Sequence, residues 1–190
     1  MSATSSPYGF TPVWHPSGII RKASLASGIA SGYGTRINTG APVVADANGT
    51  LTVAATTGNV TGVFAGCIYT PTGEAPIISP HWPASATYSA SAGPMWAFYY
   101  EDPAIWYAVQ ADGAIAATAV GDQANLSNPT TQTNGYSQCT LGATLAGAGS
   151  QRQFRIMQLS NVQNNAWGDA FTDVIVQIAQ HSYVADKTAI

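Results

Sequence analysis

The side chains able to carry chemistry are few and scattered. The three histidines are His15 in a proline-rich opening, His81 beside Trp82–Pro83, and His181 near the C-terminal end. No HExxH or H-x-H spacing occurs, so no zinc site is expected. Glu101 and Asp102 are the nearest approach to an acid–base pair. Being neighbours in a turn, they should diverge rather than flank one substrate. Asn164, Asn165, Asp169 and Asp173 offer oxygen atoms suited to calcium, but not at the spacing of an EF-hand loop, and Asx-turns are the expected use. Gly32–Tyr33–Gly34 lacks the third glycine of a dinucleotide fingerprint and precedes no helix. Cys67 and Cys139 are too few for a disulfide framework and have no metal-ligand spacing, so both should be small buried hydrophobes. No catalytic, cofactor-binding or metal-binding residue is assigned, no cofactor is expected, and the chain is read as a non-enzyme.

Aromatic residues are the more pointed signal. Trp82, Trp96, Tyr99, Tyr100, Trp106 and Tyr107 could form a platform for stacking sugars. Strand alternation, however, must turn about half of them into the core. A second group, Tyr8, Phe10 and Trp14, is interleaved with Pro7, Pro12 and Pro16 in the first eighteen residues. Proline favours extended backbone, and aromatic side chains are frequent binding anchors. Residues 1–18 are therefore expected to be an extended arm, with Tyr8, Phe10, Pro12, Trp14 and Pro16 as the partner-binding residues and little contribution to the body's core.

Something must position these residues, and composition limits what it is. A chain of 190 residues normally forms one domain and can bury roughly 70% of its unfolded surface, so residues 19–190 are expected to be a single body. Charged side chains number 15, 6 basic and 9 acidic, where an ordinary domain of this length carries roughly 47. Such a surface has little like-charge repulsion to keep neighbours apart, as suits an assembly subunit. The net charge of -3 gives no basic stripe for phosphates, so nucleic-acid binding is not expected. The opening residues lack a basic, apolar leader, and no stretch reaches the ~18 apolar residues of a membrane span. Cytoplasmic synthesis and no membrane partner are the expectations.

From Arg36 onward the chain reads as short β runs separated by turn chemistry. Residues 42–45 and 50–53 flank Asn48–Gly49, a hairpin signal because both residues tolerate positive φ. Residues 60–70 should be a central, irregular strand marked by Gly62 and Gly66. Residues 95–100 and 105–110 should be strands joined by a Glu101–Ala104 turn in which Asp102 accepts from the backbone beyond Pro103. A polar loop is expected over 119–135, then strands at 138–145, 153–159, 174–179 and 181–184. No window has a capped helical period, so helix should be scarce. The fold class expected is all-β, a jelly-roll-like sandwich or barrel.

Three stretches, VTGVFAGCIYT (60–70), FYYEDPAIWYAVQADG (98–113) and QFRIMQLSNVQNNAWGDAFTDVIVQIAQHSYV (153–184), resemble head decoration, or cement, proteins of tailed bacteriophages. The GFTPVWHPSG opening and GDQANL at 121–126 add to the likeness, whose most specific element is Asn165–Ala170 followed by a β-branched run. The resemblance implies a β-rich body on the outer surface of the capsid, bound to the major capsid protein, often as a homotrimer, with an N-terminal arm lying across neighbours. A virion carbohydrate-binding or head-fibre-base module is the alternative.

Overall fold

The structure, a computed structural model, describes residues 4–186 apart from 90, 92, 94, 131, 134 and 148. The ends of the expected arm and body, 1–3 and 187–190, lie outside the described residues. The first half of the chain carries β1 (Thr11–Trp14), β2 (Ala23–Leu25), β3 (Ile37–Asn38), β4 (Pro42–Ala45), β5 (Leu51–Val53), β6 (Gly62–Tyr69), β7 (Ile77–Ser79) and β8 (His81–Trp82). The second half carries β9 (Trp96–Tyr100), β10 (Trp106–Gln110), β11 (Gln123–Ser127), β12 (Gln132–Thr133), β13 (Tyr136–Ser137), β14 (Thr140–Ala146), β15 (Phe154–Leu159) and β16 (Asp173–Ile178). The protein is all-β: among the described residues helix is limited to one 3-10 turn, Ala117–Ala119.

Two six-stranded sheets dominate, with antiparallel ladders. The first runs β1-β10-β16-β15-β11-β14; the second runs β2-β9-β6-β4-β5 with β7 also on β6. Two-stranded ribbons, β3 with β8 and β12 with β13, complete the body. Turn chemistry sets the hairpins. In the β4–β5 loop, Asp46 accepts from Asn48 N and Thr50 N at 2.9 and 2.8 Å, while Gly49 takes φ +73°. Between β9 and β10, Asp102 Oδ1 accepts from Ala104 N at 2.8 Å, the role expected of it.

Alternation then divides the apolar residues between two cores. Tyr107 and Val109 of β10, Phe154 and Ile156 of β15, and Val174, Val176 and Ile178 of β16 form the first, with Val60 and Val63 from the second sheet's side. Val43, Phe64, Cys67, Ala97 and Tyr99 form the second, roofed by Ile29, Ile37 and Trp82. Successive residues Val63 and Phe64 thus serve different cores, so β6 is their common wall. At Gly62 an added Cβ would lie 2.3 Å from the Tyr100 carbonyl oxygen, which is why a glycine stands there. Gly66, at φ +122°, sits in the β6–β9 bulge.

Three expectations need correction. Residues 119–135 are not simply a loop, because β11 lies inside the first sheet between β15 and β14. Its polar Gln123 and Asn125 disguise it; their side-chain oxygens accept from Arg152 N and Gln153 N at 2.7 and 3.3 Å. Residues 181–184 are not a strand: His181 makes a single bridge to Val60 and a turn follows. The opening segment is not a detached arm, since β1 is an edge strand of the first sheet and Phe10 is 1% exposed in the first core.

Candidate partner-binding site at the N-terminal strand

Residues 6–18 run across the body and meet a different feature at almost every step. Ser6 N donates to Gln110 Oε1 at 2.7 Å. The Tyr8 phenol is held well above its ordinary pKa, first by burial and then by the Asp173 carboxylate, to which its hydroxyl donates. Gly9 passes through a slot: an added Cβ would lie 2.8 Å from the Gly40 carbonyl oxygen and 2.9 Å from Ser137 Cβ, and φ is +74°. Only glycine fits that conformation and that space.

Phe10 follows as a plug. Its N–H donates to Gly40 O at 2.9 Å, and its ring centroid is 4.6 Å from that of Phe154. The expected outward anchor therefore points inward, because an exposed phenylalanine would forfeit about 1.5–3 kcal/mol of burial that the gap beside Phe154 provides. Pro12 lies opposite Tyr107 on the edge strand, where a missing N–H is tolerated. The ladder shifts register between Pro12 and Trp14. Trp14 stacks on Trp106 with centroids 4.3 Å apart, yet remains 45% exposed. Pro16 is exposed in a turn closed by Gly18 N donating to His15 O at 2.9 Å. Of the five expected partner-binding residues, Trp14 and Pro16 face solvent, Pro12 is half-buried, and Tyr8 and Phe10 are committed to the chain's own body.

The turn also holds a histidine–carboxylate contact. His15 Nε2 is 3.0 Å from Asp102 Oδ2. His15 Nδ1 accepts from Ser17 N at 3.1 Å and lies 2.7 Å from Ser17 Oγ. With Nδ1 an acceptor, the proton of the neutral ring sits on Nε2 and points at Asp102. A hydroxyl, an imidazole and a carboxylate stand in this order at acyl-transfer sites. Here Nδ1 is engaged by the backbone and Ser17 Oγ accepts from Ile19 N at 3.3 Å, so the row staples the turn. It lines a cavity of about 360 Å3 with Ile19, Arg21 and Ile105.

The internal aromatic cluster divides as strand alternation requires. Trp82, Tyr99 and Tyr107 are buried; Trp96, Tyr100 and Trp106 are half-buried. Burial pushes the thiols of Cys67 and Cys139 up to about 12 and about 11, and neither is in a disulfide. At the acidic loop, Asp169 Oδ2 accepts from Ala166 N at 2.9 Å, and Asn165 Nδ2 donates to the carbonyl oxygens of Ser160 and Asp173 at 2.8 Å each. Among the described residues no group of three or more His, Cys, Asp or Glu is placed to share an ion. Among the described residues no helix is long and apolar enough to cross a membrane.

Sequence reasoning missed several exposed apolar side chains: Ile19, Ile78, which is 81% exposed on the short strand β7, Tyr136 and Tyr183. Their exposure depends on loop paths and carries no local pattern. Compared with known proteins, the chain matches no family model, no curated protein and no solved structure.

Proposed function

We propose that the chain is a non-enzymatic structural subunit of a tailed-phage particle, a decoration or cement protein bound to the outer surface of the capsid. One observation carries the reading: a surface with very few charges also exposes Val13, Trp14, Ile19, Ile78, Tyr136 and Tyr183. Such surfaces suit permanent interfaces, whose centres are depleted in charge and enriched in Trp and Tyr. The resemblance of 60–70, 98–113 and 153–184 to head decoration proteins points the same way. In this reading the partners are the major capsid protein and further copies of the chain, as a homotrimer made in the host cytoplasm and retained in the virion. The jelly-roll connectivity expected from the sequence goes with this proposal.

The mechanism is mass action. A protein that binds assembled shell but not dissociated coat subunits stabilises the shell by RT ln(1 + [L]/Kd), and trimeric presentation raises its effective concentration. Adding purified protein to particles that lack it should give saturable, stoichiometric occupancy and a higher temperature of genome release. Particles that show neither would overturn the proposal. The exposed Trp14 ring, stacked on Trp106 and followed in the chain by His15 of the Arg21 and Asp102 cavity, favours the alternative of a carbohydrate-binding or head-fibre-base module. That reading predicts quenching of tryptophan fluorescence by host-surface polysaccharide, and no change on adding particles.

A further inference from the structure

We propose that the hollow shared by the His15 turn and the β9–β10 turn binds an acidic sugar, a ring that carries both hydroxyls and a carboxylate. The inference goes beyond the capsid role and does not depend on it; it names the sugar class for the carbohydrate reading.

The chain path builds the hollow. Ile20 packs on the first core, while its neighbours Ile19 and Arg21 line the hollow instead, as alternation along an extended stretch requires. Asp102 and the buried Ile105 join them from the β9–β10 turn. The volume, about 360 Å3, is near the lower end for ligand sites and suits one ring rather than a length of chain.

Its acceptor is set before anything binds. Ser17 N donates to His15 Nδ1 at 3.1 Å, which leaves Nε2–H to face Asp102 Oδ2 at 3.0 Å. Ala104 N donates to Asp102 Oδ1 at 2.8 Å. A carboxylate held through both oxygens keeps one orientation. It has about four acceptor sites, so about half remain for hydroxyl donors from outside. The Asp102 side chain is 49% exposed and that of His15 14%, so the histidine is the support and the aspartate the contact. Such preorganisation lowers the ordering cost of binding.

The donor is unused. Arg21 is exposed, and its guanidinium has no hydrogen-bond or ion-pair partner among the described residues, although Asp102 lines the same hollow. The two opposite charges together select the ligand. A simple anion would meet the Asp102 carboxylate as well as Arg21, and a neutral sugar would leave the guanidinium fork empty. An acidic sugar satisfies both groups: Arg21 donates two parallel N–H bonds to its carboxylate, its hydroxyls donate to Asp102, and its C–H face covers the exposed Ile19.

The probes are an oligogalacturonate and its carboxyl-reduced counterpart, titrated into the free full-length protein with isoleucine methyl groups labelled for NMR. The acidic sugar should bind about tenfold or more tighter than the reduced one. Ile19 and Ile105 methyl signals should move, and that of Ile78, which lines a different hollow, should not. Arg21→Gln removes no contact of the fold and should erase the preference. Asp102→Asn keeps an acceptor for Ala104 N and should weaken both sugars while the preference survives. Equal binding of the two sugars, a preference that survives Arg21→Gln, or shifts confined to other isoleucines would overturn the proposal. Displacement by a polyglutamate peptide at equal carboxylate concentration would also overturn it, since the hollow would then read charge without hydroxyls. No particle enters this assay, so failure here leaves the cement reading standing, and failed occupancy on particles leaves this site standing.

Discussion

Replacing Phe10 by alanine tests whether the N-terminal segment belongs to the fold. Phe10 is 1% exposed, packs at 4.6 Å on Phe154 and shares the first core with Val60, Tyr107 and Ile156. Removing a buried phenylalanine from such a site costs about 3–5 kcal/mol, as lost transfer energy plus the cavity left behind. For a chain of this length each kcal/mol lowers Tm by about 2–4 °C, so Phe10→Ala should melt about 6–20 °C lower. Trp14→Ala is the control. Its stacking on Trp106 contributes about 1 kcal/mol and its exposed face contributes nothing to the fold, so the shift should be about 4 °C or less. Near-UV circular dichroism at one fixed protein concentration provides the assay, since association makes Tm concentration-dependent. A Phe10→Ala protein melting within about 2 °C of the parent would refute the argument and restore the segment to a detached arm.

Two further predictions concern titratable groups. Backbone donation from Thr50 chiefly, with help from the Thr50 hydroxyl and Asn48, holds the Asp46 carboxyl below its ordinary range against the opposing effect of desolvation. A depressed carboxylate stabilises the fold above its unfolded pKa and loses that contribution as pH falls through the folded value. The parent should therefore lose Tm below about pH 4 more steeply than Asp46→Asn; superimposable Tm-against-pH curves would exclude this role. Cys67 and Cys139, with thiols pushed up to about 12 and about 11 by burial, should not react with a chromogenic disulfide reagent at pH 8 until denaturant is added, when two thiols per chain appear. Fast reaction of the native protein would show that one of the buried sites opens.

Much of the β architecture was legible because the relevant physics is local. Asp46–Gly49 and Asp102–Pro103 turn the chain through their own side chains, and β4, β9, β10, β15 and β16 advertise themselves by β-branched and aromatic runs. β11 did not, because Gln123, buried, and Asn125, half-buried, accept from backbone N–H groups that only the fold brings near. The site was half legible. Aromatics among prolines singled out the first eighteen residues as the candidate segment, but whether Phe10 faces out or in depends on a gap beside Phe154, 144 positions away in a register no local pattern encodes. The Gly9 slot was equally hidden, since its walls come from Gly40 and Ser137.

The first sheet pairs β1 with β10 and then β10 with β16, which sets a schedule for synthesis. Its earliest strand leaves the ribosome about a hundred residues ahead of its partner edge, a delay of roughly 5–20 s at ordinary elongation rates. During that interval Phe10 and Trp14 have no strand to dock on, and the edge they need is itself incomplete until β16 has been made.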